Sequence, residues 1–217
     1  MIVLSSQALQ RLPYYLQYLK KLQDAGTAVV AAPAVASALG LNEVQVRKDL
    51  AAVSPCKGKP KTGFIVSDLI ANMEEVLGYR NTKDAVLVGA GSLGRALLSY
   101  RGFESYGLHI LAAFDIDERI LGTEIHGKPV FLVSRLSEMC QRLHVLIGII
   151  AVPAEAAQDV CDELVRGGIL AIWNFAPAHI AAPKNILIKN ENMAASLAVL
   201  SKHLEGRSEE ASEDTGL

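Results

Sequence analysis

The sequence predicts an α/β chain: a small helical unit first, then a doubly wound parallel sheet, then one closing helix. Three observations predict it. Up to about residue 80, apolar residues recur at helical spacing. From Asp84 onward, short apolar runs alternate with amphipathic helical ones. At the first junction between such a run and a helix stands a glycine-rich turn, "VGAGSLGRALL".

The first helix is read from "LPYYLQYLKKLQDAG", where Leu12, Tyr15, Leu16, Leu19 and Leu22 share a face, with Pro13 near its start and Gly26 past its end. A short helix follows in "APAVASALGL", with Pro33 in its first turn and Gly40 closing it. Asn42 then caps "NEVQVRKDLAAV", with Val46, Leu50 and Val53 inward and Gln45, Arg47 and Lys48 outward. A short helix, a glycine turn and a second helix with basic outward residues form the helix-turn-helix pattern. "SPCKGKPKTGF" has no core-forming content and reads as an exposed basic hairpin or loop, the wing of a winged helix, carrying Lys57, Lys59 and Lys61. Residues 1–80 form this first domain.

Gly78 and "YRNTKD" separate it from a second domain, residues 81–190. Strands are expected in "AVLVGA", "HILAAFDID", "KPVFLVS", "HVLIGIIAVP", "ILAIWNFAP" and "NILIKNEN", with helices in "SLGRALLSYRGF", "SEMCQRL" and "AEAAQDVCDELVRGG". Strands apolar throughout, with helices between them, belong to a parallel sheet covered on both faces. Residues 191–205 hold a closing helix with Leu197, Leu200 and Leu204 on one side, which packs on its own subunit or on a partner. Residues 206–217 have almost no apolar content, only Ala211 and Leu217, and are expected to be disordered.

The glycine turn gains weight from its context. Gly89, Gly91 and Gly94 follow an apolar strand and open a helix, as in a Rossmann-type dinucleotide site. Gly89 permits the tight turn, Gly91 lets backbone approach a pyrophosphate, and Gly94 allows close helix–strand packing. The helix N-terminus supplies free N–H groups to the phosphates. Asp115 ends the second strand, where a carboxylate accepts from the adenosine ribose and repels a 2′-phosphate, so the expected ligand is NAD(H).

Catalytic machinery is not evident. A hydride-transferring enzyme needs an acid/base group and a substrate region, and the nucleotide fold uses nearly all of the second domain. None of the five histidines sits beside an acidic partner in a recognisable dyad, and His179 is read as a loop residue. A site without chemistry favours sensing over turnover. A small NAD-dependent dehydrogenase with an accessory helical domain is the alternative, and a protein for a CoA-type nucleotide is another, against which Asp115 argues.

Net charge is −2, unevenly spread: nine Lys/Arg against six Asp/Glu in residues 1–80, eleven against thirteen in 81–205, and one against four beyond. The basic excess permits a nucleic-acid partner for the first domain. No run reaches membrane-spanning length, and the N-terminus has no signal-peptide pattern. Cys56, Cys140 and Cys161 have no C-x-x-C spacing, which argues against zinc or disulfides and for the reducing cytoplasm. Cys56 lies among lysines that would lower its pKa, but no resolving cysteine is close in sequence, so the inert reading is preferred.

These pieces together resemble the Rex family of redox-sensing transcriptional repressors. The resemblance runs from about Ser5 to Leu204 through "RLPYYLQYL", "QVRKDL", "VGAGSLGRALLSYRGF", "AAFDID", "GKPV", "IAVPAEAAQDV" and "NFAP", in the family's order. It implies a homodimer with closing helices exchanged between subunits, binding inverted-repeat operators on double-stranded DNA and releasing them when NADH binds, while NAD+ competes and permits DNA binding. By the resemblance, Gln45, Arg47 and Lys48 face the operator and Arg11 contacts a phosphate. Gly89, Ala90, Gly91, Ser92, Leu93 and Gly94 become the pyrophosphate loop and Asp115 the ribose ligand. Val152, Pro153, Asn174, Phe175 and Ala176 flank the nicotinamide, and Tyr100 serves the switch. The chain departs from the family pattern in two places: a lysine-rich wing without aromatics, and Asn192 where an Asp linked to the switch tyrosine is usual. On physical grounds, an apolar pocket at Val152, Pro153 and Phe175 disfavours cationic NAD+ and prefers neutral NADH.

Overall fold

In the computed structural model, which describes residues 4–54, 63–80 and 83–213, the chain divides into two compact units. One comprises residues 1–82 with 104–107, the other residues 83–103 with 108–217. Glu104–Gly107, expected within the second domain, thus groups with the first, where Tyr106 packs on Tyr79 with ring centroids 5.2 Å apart.

In the first unit, helix α1 spans Ser6–Asp24, with Ser5 accepting from the Ala8 amide at its start. Pro13, expected near the start, is therefore inside the helix. The reason is that Ala8 continues the buried face one turn before Leu12, and Ser5 caps the helix there. Strand β1 (Val29–Val30) precedes α2 (Ala32–Leu39), which ends on Gly40 in the left-handed region. Asn42 accepts from the Gln45 amide and opens α3 (Glu43–Val53). Strand β2 (Phe64–Ile65) pairs antiparallel with β1, and α4 (Val66–Val76) completes the unit. The core joins Leu12, Tyr15 and Leu19 of α1 to Val35, Leu50 and Met73 of the other helices. Lys57, Lys59, Lys61 and Cys56 lie outside the described residues.

The second unit is built on a seven-stranded sheet. Its strands are β3 (Lys83–Val88), β4 (Leu108–Asp115), β5 (Glu124–Ile125), β6 (Lys128–Leu132), β7 (Ile147–Ile150), β8 (Ala171–Asn174) and β9 (Leu187–Asn190). The order is β5-β6-β4-β3-β7-β8-β9. Every neighbouring pair is parallel except β5–β6. Setting β5 aside, this is the doubly wound Rossmann order, with its switch point between β4 and β7 on either side of β3. The antiparallel β5 was not expected. It is a short hairpin arm turned through His126 and Gly127, both at positive φ.

Helices α7 (Leu136–Leu143) and α8 (Ala157–Arg166) cover one face through Leu136, Cys140, Val160 and Leu164. Helix α5 (Ser92–Ser99) covers the other through Leu98, and a short α6 (Gly102–Ser105) follows. Helix α9 runs Met193–Glu213, with Asn192 accepting from the Ala195 amide at its start. The helix thus passes through the segment from 206 expected to be disordered. Glu209, Glu210, Ala211 and Glu213 there have high helix propensity and continue the helix without an apolar pattern. Residues 214–217 lie outside the described residues. Leu197, Val199, Leu200 and Leu204 are exposed. Among the described residues, no helix is long and apolar enough to cross a membrane.

Candidate nucleotide site and nucleic-acid interface

A cavity of about 790 Å³ opens at the C-terminal ends of β3, β4, β6 and β7, beside the switch point. Its walls include Gly89, Gly91, Asp115, Val152 and Pro153, all expected there. The three glycines of the turn play different parts. Gly89 sits at φ +96, and a Cβ on it would lie 2.5 Å from the Ala151 carbonyl oxygen. A Cβ on Gly94 would lie 1.8 Å from the Gly89 carbonyl oxygen. Gly91, the N-cap of α5, has nothing within 4 Å of its notional Cβ. Two glycines serve the fold, and the third leaves open backbone facing the cavity.

Asp115 is bound to the same turn. Its Oδ2 accepts the Ala90 N–H at 2.6 Å, and its Oδ1 accepts from Ile116 at 2.7 Å and Asp117 at 2.9 Å. Each carboxylate oxygen offers two acceptor sites, so among the described residues one remains, on Oδ2. Nearby, hydrogen bonds from Arg119 hold the Asp117 carboxyl down at about 2. Asp159, Asp162 and Glu163 of α8 place an acidic rim on the cavity, with Arg166 bound to Glu163 at 2.6 Å.

Ala90, Ser92, Leu93 and Gly94 of the turn, and Asn174, Phe175, Ala176 and Tyr100 beyond it, are not among the cavity walls. Asn174 is fully buried: its amide donates to the Ala178 carbonyl at 3.0 Å and to Asn190 Oδ1 at 2.9 Å, and its Oδ1 accepts from the Ala176 N–H. Tyr100 and Phe175 end one aromatic row, in which Tyr100 meets Phe103 (4.9 Å), Phe103 meets Trp173 (5.6 Å) and Trp173 meets Phe175 (4.8 Å). Trp173 Nε1 donates to Glu191, just before α9.

In the first unit, Gln45, Arg47 and Lys48 are exposed on α3. Arg47 pairs with Glu43. Arg11 is only partly exposed, and its Nε and Nη2 donate to the two oxygens of buried Asp49 at 2.8 and 3.1 Å. Tyr15 and Gln45 donate to the same carboxylate, each at 2.9 Å. Burial pushes the Asp49 carboxyl up, but hydrogen bonds from Arg11, Gln45 and Tyr15 outweigh it and hold the group below its ordinary value. Burial and Asp49 together push the Tyr15 phenol up to about 12.

Comparison with known proteins matches residues 4–51 to a family described as "Putative DNA-binding protein N-terminus" and residues 80–178 to "CoA binding domain". A redox-sensing transcriptional repressor Rex of Porphyromonas gingivalis is 42% identical over 192 residues, 88% of each chain. That of Bacteroides fragilis is 39% identical over 196 residues, 90% of this chain and 89% of its own. The chain belongs to the Rex family of redox-sensing transcriptional repressors. Among solved structures, RSP bound to β-NAD+ and operator DNA superposes with a TM-score of 0.89 at 30% identity, covering 100% of both chains. RSP bound to β-NADH gives 0.83 at 31% identity, covering 96% of this chain and 97% of RSP.

Within this Rex-family chain, the cavity walls that sequence reasoning missed are mainly Ile116, Val133, Ser134 and one face of α8. The first three could have been found as residues that directly follow a parallel strand. Asp159, Asp162, Glu163 and Arg166 follow helical spacing but read as an ordinary solvated face. Asp49 was missed for the same reason.

Proposed function

We propose that this Rex-family chain is a DNA-binding repressor that senses the NADH/NAD+ ratio in the cytoplasm. It binds inverted-repeat operators as a homodimer and releases them when NADH binds. The observation that carries this reading is the cavity at the switch point, with open backbone at Gly91 and one free acceptor on Asp115, in a chain that also carries a helix-turn-helix.

The pyrophosphate lies against residues 89–94, on the N-terminus of α5. The adenosine ribose donates to Asp115, and the adenine fits between Ile116, Val133 and Val160. Asp115 and the acidic rim of α8 repel a 2′-phosphate, which favours NAD(H) over NADP(H). Val152 and Pro153 form the apolar side toward the nicotinamide. Asn174, through Asn190 and the Glu191 amide, which donates to the Asn174 carbonyl, joins that region to the root of α9. The exposed leucines of α9 supply a dimer contact. On the DNA side, Gln45, Arg47 and Lys48 face the operator, Arg11 a phosphate, and Lys57, Lys59 and Lys61 belong to the wing.

In a dimer, the spacing of two recognition helices must match about one turn of DNA. A ligand that favours another inter-subunit angle lowers affinity without touching DNA, through a coupling of roughly 1–3 kcal/mol. The test is a fluorescence-anisotropy titration of inverted-repeat duplexes at fixed salt with NAD+, NADH or neither. Binding weakened about 5- to 150-fold by NADH and spared by NAD+ is expected. Binding indifferent to both overturns the sensor, and no binding at any salt overturns the repressor.

A further inference from the structure

We propose that Asp49 is a positioning residue for sequence reading, locking the Gln45 side-chain amide so that Oε1 and one Nε2–H face outward as a pair complementary to adenine. The proposal rests on the reading of α3 as a DNA-reading helix.

Gln45 is the third residue of α3, where a recognition helix meets base edges, and it is exposed. A free glutamine amide presents either polarity. Here Nε2 donates to Asp49 Oδ1 at 2.9 Å, one helical turn along. An ionised carboxylate only accepts, so the opposite amide orientation would set two acceptors against each other. The amide polarity is therefore dictated by chemistry.

The carboxylate itself cannot turn away. Oδ1 also accepts from Arg11 Nη2, while Oδ2 accepts from Arg11 Nε and Tyr15 Oη. Arg11 and Tyr15 stand one turn apart on α1, and Asp49 is 4% exposed. All four acceptor positions are thus used, and two helices hold them. With one Nε2–H spent on Asp49, exposed Gln45 keeps Oε1 and a single N–H for a base edge. In the major groove, adenine alone sets a donor (N6) beside an acceptor (N7). Guanine shows two acceptors, cytosine a donor, and thymine an acceptor and a methyl. A preset rotamer also spares ordering on binding. Lys48, on the same helix, brings charge without this directional constraint, while Arg47 is paired with Glu43.

The test selects from a library of two-fold symmetric duplexes with randomised half-sites, using the full chain without nucleotide. Anisotropy is then read on every single-base substitution of the selected duplex, with wild type, Gln45→Ala and Asp49→Asn. Wild type is expected to require one adenine per half-site, its replacement costing about tenfold or more. Both variants flatten that position to within about twofold and keep their preferences elsewhere. Adenine preference surviving in Asp49→Asn overturns the proposal, as does a Gln45-dependent base other than adenine. A wild-type chain that selects no sequence overturns the DNA-reading assignment and this proposal with it.

If Asp49→Asn does not fold by circular dichroism, nuclear magnetic resonance on the wild-type chain decides. The Gln45 side-chain amide, assigned by its loss in Gln45→Ala, is expected to show one proton protected from exchange and one not. Two protons exchanging alike overturn the proposal.

Discussion

The Asp115 carboxylate holds the Ala90 amide at 2.6 Å, so the residue at the end of β4 fastens the turn at the end of β3. Fold and ligand therefore depend on one side chain. Asp115→Ala strands the Ala90, Ile116 and Asp117 amides and is expected to cost about 1–3 kcal/mol in thermal unfolding. It also lowers NADH affinity at least tenfold by calorimetry, because the ribose loses its acceptor. Stability falling with affinity intact would remove Asp115 from the nucleotide site.

The glycines of the turn separate by the same two measurements. Gly94→Ala puts a Cβ 1.8 Å from the Gly89 carbonyl oxygen and should destabilise by several kcal/mol. Gly91→Ala meets nothing within 4 Å and should melt within a few degrees of wild type while losing most NADH binding. Undiminished NADH binding by Gly91→Ala would place the pyrophosphate elsewhere.

The Asp49 cluster predicts two pH limbs. Asp49 titrates below its ordinary value in the folded unit, so its contribution is present above about pH 4 and lost as pH falls through the folded value. Tyr15 is pushed up to about 12, so its contribution is present below about pH 10 and lost between there and 12. In urea unfolding followed by circular dichroism, Asp49→Asn should flatten the acid limb and Tyr15→Phe the alkaline one. Unchanged limbs would mean that other groups govern both.

Phe175 and Asn174 test the nicotinamide side. Phe175→Ala should narrow the ratio of NADH to NAD+ affinity by removing the ring that ends the aromatic row beside Trp173 and loosening the apolar packing proposed for the nicotinamide side. Asn174→Ala leaves the Ala176 amide and Ala178 carbonyl without their partner and should cost about 2–4 kcal/mol in stability. A Phe175 variant with an unchanged ratio would assign the preference to other residues.

Cys140 and Cys161 are buried between α7, α8 and the sheet, and burial pushes the Cys140 thiol up to about 11. Neither should react with iodoacetamide at pH 8 in the folded chain, and both should react in denaturant, as counted by mass spectrometry.

Much of this was legible in the sequence where pattern and local chemistry agree. The Gly40 and Asn42 punctuation, the strand–glycine–helix run at 83–99 and the acid at 115 follow from short-range rules, and each stands in its expected element. The partners of those residues were not legible. Asp49 lies 38 residues from Arg11, and Asn174 lies 16 from Asn190, so neither hydrogen bond leaves a periodic trace. Gln45 read as an operator-facing residue and Arg11 as a phosphate contact, yet both are tied to a carboxylate that counted only as one more negative charge. The hairpin arm at β5 and the passage of α9 through the acidic segment also escaped, since a two-residue strand and a run of polar residues carry almost no apolar signal.

The two kinds of glycine in one turn also bear on what random mutation can do to this protein. Replacement at 89 or 94 brings a side chain onto backbone and removes the protein, so the regulated genes lose their repressor. Replacement at 91 leaves a folded chain that still holds its DNA and no longer hears its effector. One codon separates a null allele from a deaf one, and the two have opposite phenotypes: genes always on, and genes that stay shut when NADH rises.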